Sequence, residues 1–113
     1  MKVGVIDYGV GNLGSVMRAL EELRVAPILI TRAAEMHAVD RLILPGVGNF
    51  ADCARRLHEG GWFQALQDEV QAGQKPLLGV CVGMQLLASC SMEGANADEE
   101  DGTLGLGLIP GRV

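Results

Sequence analysis

Short apolar runs alternate with longer amphipathic segments along this chain, and this alternation constrains its fold more than any other feature. Runs rich in valine, isoleucine and leucine predict buried strands at residues 2–6, 27–31, 41–44 and 77–80. Helices are predicted between them, at the stretch containing Val16, Ala19, Leu20 and Leu23 and at residues 50–58, 62–72 and 83–91. Such alternation requires right-handed crossovers, which place helices on both faces of a parallel sheet. The sequence therefore predicts an α/β fold with a doubly wound, mostly parallel sheet.

The remaining segments are predicted as caps and loops. Asn12 or Ser15 is the expected cap of the first helix. Residues 92–105 are polar, acidic and rich in glycine, so they are predicted as a loop whose acidic run, residues 98–101, is solvated. Residues 106–113 are predicted to begin a further element, so the sheet is expected to be incomplete toward the C-terminus.

The composition is that of one small globular domain. The chain has 113 residues, 49% hydrophobic and 20% charged, which is enough to bury a core. Its net charge of −5 comes without a basic stripe, which argues against nucleic-acid binding. No apolar run approaches the length of a membrane span or a signal peptide, so a soluble, cytoplasmic protein is expected.

The three cysteines include no CxxC pair, which argues against a disulfide framework and a zinc site. Cys53 and Cys90 fall on predicted helices and are interpreted as small buried hydrophobic residues. Cys81 is different, because it stands in a pattern that indicates chemistry.

That pattern is Gly79-Val80-Cys81-Val82-Gly83, between a predicted strand and a predicted helix. A nucleophile on so tight a turn has a strained backbone, and the residues two before and two after it must be small. A helix N-terminus also favours the thiolate, which is the reactive form of cysteine. The N–H of Val82 is the expected first donor of an oxyanion hole.

Glycine clusters follow the first, third and fourth predicted strands, at the edge where open α/β sheets bind ligands. After the third strand, Gly46-Val47-Gly48-Asn49 allows backbone N–H groups to approach a substrate carbonyl. This strand is expected to neighbour the strand before Cys81. The turn is therefore the natural source of a second oxyanion donor.

Four segments together resemble the class I (triad-type) glutamine amidotransferases: residues 6–16 (IDYGVGNLGSV), 44–50 (LPGVGNF), 79–87 (GVCVGMQLL) and 105–111 (GLGLIPG). The first of them narrows the resemblance to the glutaminase subunits of imidazole glycerol phosphate synthases, from histidine biosynthesis. The resemblance runs along essentially the whole chain. It identifies residues 1–113 as the N-terminal part of a single flavodoxin-like amidotransferase domain.

The resemblance implies a role for each matching residue. Cys81 would attack the side-chain amide of glutamine, form a glutamyl thioester and release ammonia. The backbone N–H groups of Gly48 and Val82 would form the oxyanion hole. The residues that would hold or line the glutamine site are Gly46, Val47, Gln85 and Glu93.

The resemblance also implies a protein partner. Asn12, in the loop of residues 7–12, would face a cyclase (βα)₈-barrel subunit, and the ammonia would pass to that subunit without entering bulk water. No cofactor and no metal are expected.

A cysteine amidohydrolase needs a base beside the thiol and a group that orients the base. His37 and His58 both fall in charged surroundings and are interpreted as exposed helix residues. In the family, the base comes from a His-x-Glu segment downstream of the elbow, and this sequence has none. The expectation is a glutaminase fragment or a truncated relative that does not turn over glutamine alone.

Three alternatives remain open from the residues. Gly9-x-Gly11-x-x-Gly14 is a literal dinucleotide fingerprint between a strand and a helix, although Asp7 would put a carboxylate near the pyrophosphate. The elbow also suits a cysteine-dependent peptidase, chaperone or deglycase. The last alternative is a non-catalytic domain that binds a synthase partner.

Overall fold

The computed structural model describes residues 1–93 and 102–113, and the predicted acidic run at residues 98–101 lies outside them. The chain contains four strands that form one sheet: β1 (Val3–Ile6), β2 (Pro27–Ile30), β3 (Arg41–Leu44) and β4 (Leu77–Gly79). Their order in the sheet is β2-β1-β3-β4, and every neighbouring pair is parallel. All four predicted strands are confirmed, within one residue at each end.

One face of this sheet carries helix α1 (Leu13–Glu22). Of the two predicted caps, Asn12 is the one used, because its side chain accepts a hydrogen bond from the Ser15 N–H at 3.2 Å. The apolar stripe of α1 packs on a small cluster formed by Val3, Val5 and Ile43. Each of these strand residues points to the same side, as the two-residue period of a strand requires.

The opposite face carries the main core. It is covered by a 3₁₀ helix (Ala33–Ala38), by α2 (Phe50–Glu59) and by α3 (Trp62–Gln67), which continues as a π-helical turn (Asp68–Ala72). Alternate strand residues, including Ile6, Leu42 and Leu44, are fully buried against these helices. The doubly wound α/β prediction is therefore confirmed.

The chain after the elbow differs from the prediction. Helix α4 spans only Val82–Gln85, and Cys90–Ser91 form strand β5, antiparallel to β6 (Thr103–Leu104). The predicted helix at 83–91 and the predicted loop at 92–105 are thus wrong in these parts, and Cys90 lies on a strand.

The physical reason is competition for backbone acceptors. The carbonyl of Leu86 accepts from the Leu106 N–H at 2.8 Å, and that of Ala88 accepts from the Gly107 N–H at 3.0 Å. A continuing helix would have used the Leu86 carbonyl for the N–H four residues later. Residues 106–113 therefore fold back on the elbow region, with Leu106 in the core.

In the described residues, no helix has the length and apolarity to cross a membrane.

Candidate active site

The loops after β1, β3 and β4 lie at one edge of the sheet, because parallel strands end on the same side. From β1 the chain moves to β2 on one side, and then crosses over to place β3 and β4 on the other side of β1. The strand order therefore reverses beside β1. Ligands of open α/β sheets bind at such a reversal. The structure brings the glycine-rich loop of residues 45–49 and the predicted elbow together there.

Cys81 has φ of 59° and ψ of −125°, a backbone conformation that L-residues with a side chain rarely adopt. The residue is exposed to solvent. Strain of this kind costs on the order of 1–3 kcal/mol and persists only where the surrounding packing holds it. The predicted elbow geometry at Cys81 is therefore present.

The two glycines of the elbow are required by close backbone packing. A Cβ on Gly79 would lie 2.5 Å from the Cα of Met84, and one on Gly83 would collide with the carbonyl oxygen of Leu44. On the facing loop, a Cβ on Gly46 would lie 2.6 Å from the Gly83 nitrogen. The backbones of the loop and the elbow thus touch with no room for a methyl group between them.

The two predicted oxyanion donors stand on these touching segments. Val82 is the first residue of α4, so its N–H has no acceptor within the helix. Gly48 has φ of +91° and open space where a side chain would be, so a ligand can approach its backbone. Because α4 has a single turn, it offers a thiolate less dipole stabilisation than the predicted nine-residue helix.

The residues predicted to hold glutamine lie in different surroundings. Gly46 is buried and Val47 is exposed on the loop. The Glu93 carboxylate accepts a hydrogen bond from the Phe50 N–H at 3.1 Å, so it lies at the N-terminus of α2, directly after the loop.

Gln85 is the more informative of the two predicted side-chain ligands. Its Oε1 atom is buried without a hydrogen-bond partner in the part of the chain described. An unpaired buried amide oxygen is costly, and a ligand N–H would relieve that cost. Gln85 also lines a cavity of about 350 Å³ between α4 and residues 109–113, but the lining of this cavity includes neither Cys81 nor the glycine-rich loop.

Two buried side chains that sequence reasoning did not assign to the site hold the loop from behind. The Tyr8 hydroxyl donates to the Pro45 carbonyl at 2.6 Å, and the Cys53 thiol donates to the Val47 carbonyl at 3.3 Å. Cys53 is buried as predicted, but it acts as a donor and not only as a hydrophobic residue. No signal in the sequence pairs either residue with the loop, since the contacts join different elements.

Both histidines are exposed, as predicted, and both are engaged away from the elbow. His37 Nδ1 lies 3.3 Å from Glu69 Oε1, and the His58 ring stacks on Phe63 with centroids 3.9 Å apart. His58 lies eight residues after Phe50 on α2. The rise of the helix therefore puts His58 about 12 Å from the sheet edge where the loop lies. Within residues 1–93 and 102–113, no group of three His, Cys, Asp or Glu side chains forms a metal site.

Comparison with known proteins agrees with this geometry. The family described as class-I glutamine amidotransferase matches residues 4–104. The chain belongs to this family. The resemblance predicted from the four motifs is thus confirmed.

Curated relatives of the chain include subunits of imidazole glycerol phosphate synthase. The chain is 47% identical over 111 residues to the imidazole glycerol phosphate synthase subunit HisH of Halalkalibacterium halodurans, covering 98% of this chain and 49% of the relative. It is 44% identical over 113 residues to the subunit of the same name from Methanopyrus kandleri, covering 98% of this chain and 52% of the relative. The chain therefore spans about half the length of the curated relatives it matches.

A solved structure supports the fold. A crystal structure described as a glutamine amidotransferase superposes with a TM-score of 0.71 at 24% identity, over 91% of this chain and 51% of that one. The flavodoxin-like α/β fold is thereby confirmed.

The segment that matches a dinucleotide fingerprint runs from the loop after β1 into the first turn of α1 in this fold. Gly9 and Gly11 lie in the β1–α1 loop with φ of 89° and 112°. The Gly9 N–H donates to Asp7 Oδ1 at 3.2 Å, so the loop already satisfies a donor that a pyrophosphate would need. Family membership and this internal bond both favour the amidotransferase interpretation.

Proposed function

We propose that this chain carries the nucleophile half of a glutaminase site, with Cys81 as the nucleophile. The observation that carries the proposal is the strained, exposed Cys81 on an elbow whose backbone touches a glycine-rich loop. The Cys81 sulfur forms a bond to Cδ of glutamine, and the C–N bond then breaks. The departing nitrogen takes up the proton that the thiol gave up and leaves as ammonia. Water hydrolyses the thioester to glutamate.

The other predicted residues complete this proposal. The N–H groups of Val82 and Gly48 stabilise the tetrahedral oxyanion, and Gly46 and Val47 line the same pocket. The unpaired Gln85 Oε1 suits the α-ammonium group of glutamine, which has only donors to offer. Glu93, held beside the loop by the Phe50 N–H, provides a carboxylate for the same group.

Turnover also needs a base to move the proton, and neither His37 nor His58 lies where it could do so. We place the base, and the group that orients it, in the half of the relatives' length that this chain does not cover. Residues 1–113 are then the N-terminal part of one amidotransferase domain, inactive toward glutamine alone.

The relatives named as imidazole glycerol phosphate synthase subunits support a partner. The proposal is that ammonia passes to a cyclase (βα)₈-barrel subunit in histidine biosynthesis, in the cytoplasm. Asn12 is exposed at the site edge of the sheet and is the residue we assign to this interface.

The test is covalent labelling of the folded chain with an L-glutamine-like chloroketone, located by peptide mass spectrometry. Chloride leaves without a proton, so this reaction probes the nucleophile separately from the absent base. The expected result is modification of Cys81 in preference to Cys53 and Cys90, with slower labelling by the D-enantiomer and none at position 81 in Cys81→Ser.

Labelling of Cys53 or Cys90 as fast as that of Cys81, or equal rates for the two enantiomers, would contradict the proposal. Binding to the cyclase subunit without selective labelling would instead favour the non-catalytic, partner-binding alternative. Sedimentation of a mixture of the two proteins measures that binding.

A further inference from the structure

The glycine-rich loop that faces Cys81 is held by two donors that reach it from the core. The Tyr8 hydroxyl, at the end of β1, donates to the Pro45 carbonyl at 2.6 Å. The Cys53 thiol, on α2, donates to the Val47 carbonyl at 3.3 Å. Tyr8 is 7% exposed and Cys53 is fully buried, so both donors lie in the core.

These bonds set the direction of the N–H groups on the other side of the loop. A peptide unit is planar and trans, so the Val47 carbonyl and the Gly48 N–H point in opposite directions. A donor that holds the carbonyl toward α2 therefore holds the Gly48 N–H away from α2.

Packing alone would not hold this peptide in place. Gly48 has φ of +91°, and no atom lies within 4 Å of the position its Cβ would occupy. Glycine rotates about its backbone bonds with little steric restraint. Among the described residues, the Cys53 thiol provides the hydrogen bond to this peptide, while the Tyr8 hydroxyl anchors Pro45, where the loop begins.

The phenol is suited to this task. Burial, and after it the neighbouring Cys53 thiol, raises the pKa of Tyr8 well above its ordinary value. Tyr8 therefore stays protonated, and remains a donor, throughout the neutral and moderately alkaline range.

We propose that Tyr8 and Cys53 are positioning residues that orient the oxyanion-hole N–H of the glycine-rich loop from behind. The inference rests on the proposed glutaminase function. Neither residue touches the substrate, and each acts through a carbonyl of the loop.

The test compares two reactions of Cys81. A chloroketone adds to the thiolate through a tetrahedral oxyanion, whereas iodoacetamide reacts by direct displacement and forms none. Removing an oxyanion donor outright lowers rates by roughly 10²–10³. An N–H donor that is present but no longer held in position should lower the rate by a smaller factor. We therefore expect the rate of chloroketone labelling to fall on the order of tenfold, with the iodoacetamide rate at Cys81 unchanged.

The variants are Cys53→Ala, which removes the donor, Cys53→Ser, which keeps one, and Tyr8→Phe, which removes only the hydroxyl. Cys90→Ala is the matched control, because Cys90 lies on β5 and, in the part of the chain described, pairs with residues 104, 112 and 113 and not with the loop. Circular dichroism and urea unfolding verify that each variant folds. Recovery of the chloroketone rate in Cys53→Ser, beside loss in Cys53→Ala and Tyr8→Phe, is the supporting result.

Equal slowing of both reagents would show a purely structural role and overturn the proposal. Unchanged chloroketone rates in Cys53→Ala and Tyr8→Phe would overturn it as well. Failure of the proposed function is distinguishable from both, because the unaltered chain would then show no selective labelling of Cys81 at all.

Discussion

Both faces of the four-stranded sheet carry apolar side chains, but the two faces are unequally covered in the structure. On the face of α2 and α3, Leu44 of β3 is fully buried. On the face of α1, Leu78 of the neighbouring strand β4 is 59% exposed and Val80 is 37% exposed. Leu78 pairs in register with Ile43, one residue from Leu44, so the contrast arises between adjacent positions of one sheet.

This difference shows how coverage depends on the connections. Helix α1 joins β1 to β2 and packs over that side of the sheet, whereas no helix lies over β4 on the same face within the described residues. An apolar groove of about 330 Å³ results between α1 and β4, lined by Leu20, Leu23, Ile43, Leu78 and Val80 among others. The face covered by α2 and α3 has a closed hydrophobic core, and this is the face that supports the loop and the elbow.

Matched leucine truncations on the two faces test the contrast most strongly. Leu44→Ala should destabilise the fold by about 2–5 kcal/mol, because it leaves a cavity in a closed core. Leu78→Ala should cost less than about 1 kcal/mol, since the side chain is largely in water. Urea unfolding with an unchanged m-value measures both. Similar costs at the two positions would mean that the α1 face is covered in solution.

Glycine substitutions sharpen the contrast at the backbone. Gly83→Ala should cost about 1–3 kcal/mol and abolish selective labelling of Cys81, because the new methyl group would collide with the Leu44 carbonyl. Gly14→Ala is the matched control on α1, where the nearest atom to the new Cβ is 4.0 Å away. It should stabilise the chain by less than the roughly 0.5–1 kcal/mol that alanine gains over glycine in the middle of a helix, because Gly14 lies in the first turn of α1. A tolerated Gly83→Ala would mean that the elbow is looser than this packing.

Relief of strain at the elbow is the next largest effect. Cys81→Gly should raise the free energy of unfolding by about 1 kcal/mol, because glycine accepts φ of 59° without penalty. Cys81→Ala keeps the Cβ and should show no such gain. Thermal unfolding at equal protein concentration compares the two, and equal stabilities would argue against stored strain.

The smallest expected effect is a pH dependence on the covered face, at the 3₁₀ helix that inserts Met36 into the core. Hydrogen bonds from the Thr31 hydroxyl, and then from the Arg32 and Thr31 N–H groups, lower the pKa of Glu35. A lowered folded-state pKa stabilises the fold above the ordinary glutamate pKa, and this stabilisation is lost as the pH falls through the lowered value. Glu35→Gln should therefore flatten the acid side of the stability curve.

Thr31→Val provides the matched control for this prediction. It removes the hydroxyl donor but leaves both backbone donors, so its effect on the acid side should be intermediate. Urea midpoints measured at neutral and acidic pH compare the three chains. Identical pH profiles for all of them would mean that Glu35 contributes nothing to acid stability.

Much of the fold followed from local pattern. Runs such as residues 42–44 are apolar on both faces, short and bounded by turn residues, which is typical of buried parallel strands, so all four strands were predictable. The elbow was predictable for the same kind of reason, since Gly79 and Gly83 flank a nucleophile where the backbone must turn sharply. The predicted helix at 83–91 was wrong because the N–H groups of Leu106 and Gly107 donate hydrogen bonds to the carbonyls of Leu86 and Ala88. Nothing within residues 83–91 predicts that a later segment of the chain binds there.

By itself, the sequence determined the alternation of strands and helices, the position of Cys81 and the family to which the chain belongs, because each of these follows from the residue order within short segments, taken singly or together. Only the tertiary structure decided which partners meet across elements: Gly46 packs against Gly83, Tyr8 and Cys53 lie behind the loop, and Leu78 is largely exposed. Periodicity states which side of a strand can be buried. What buries it, and which donor reaches which carbonyl, depends on packing between segments that lie far apart in the chain.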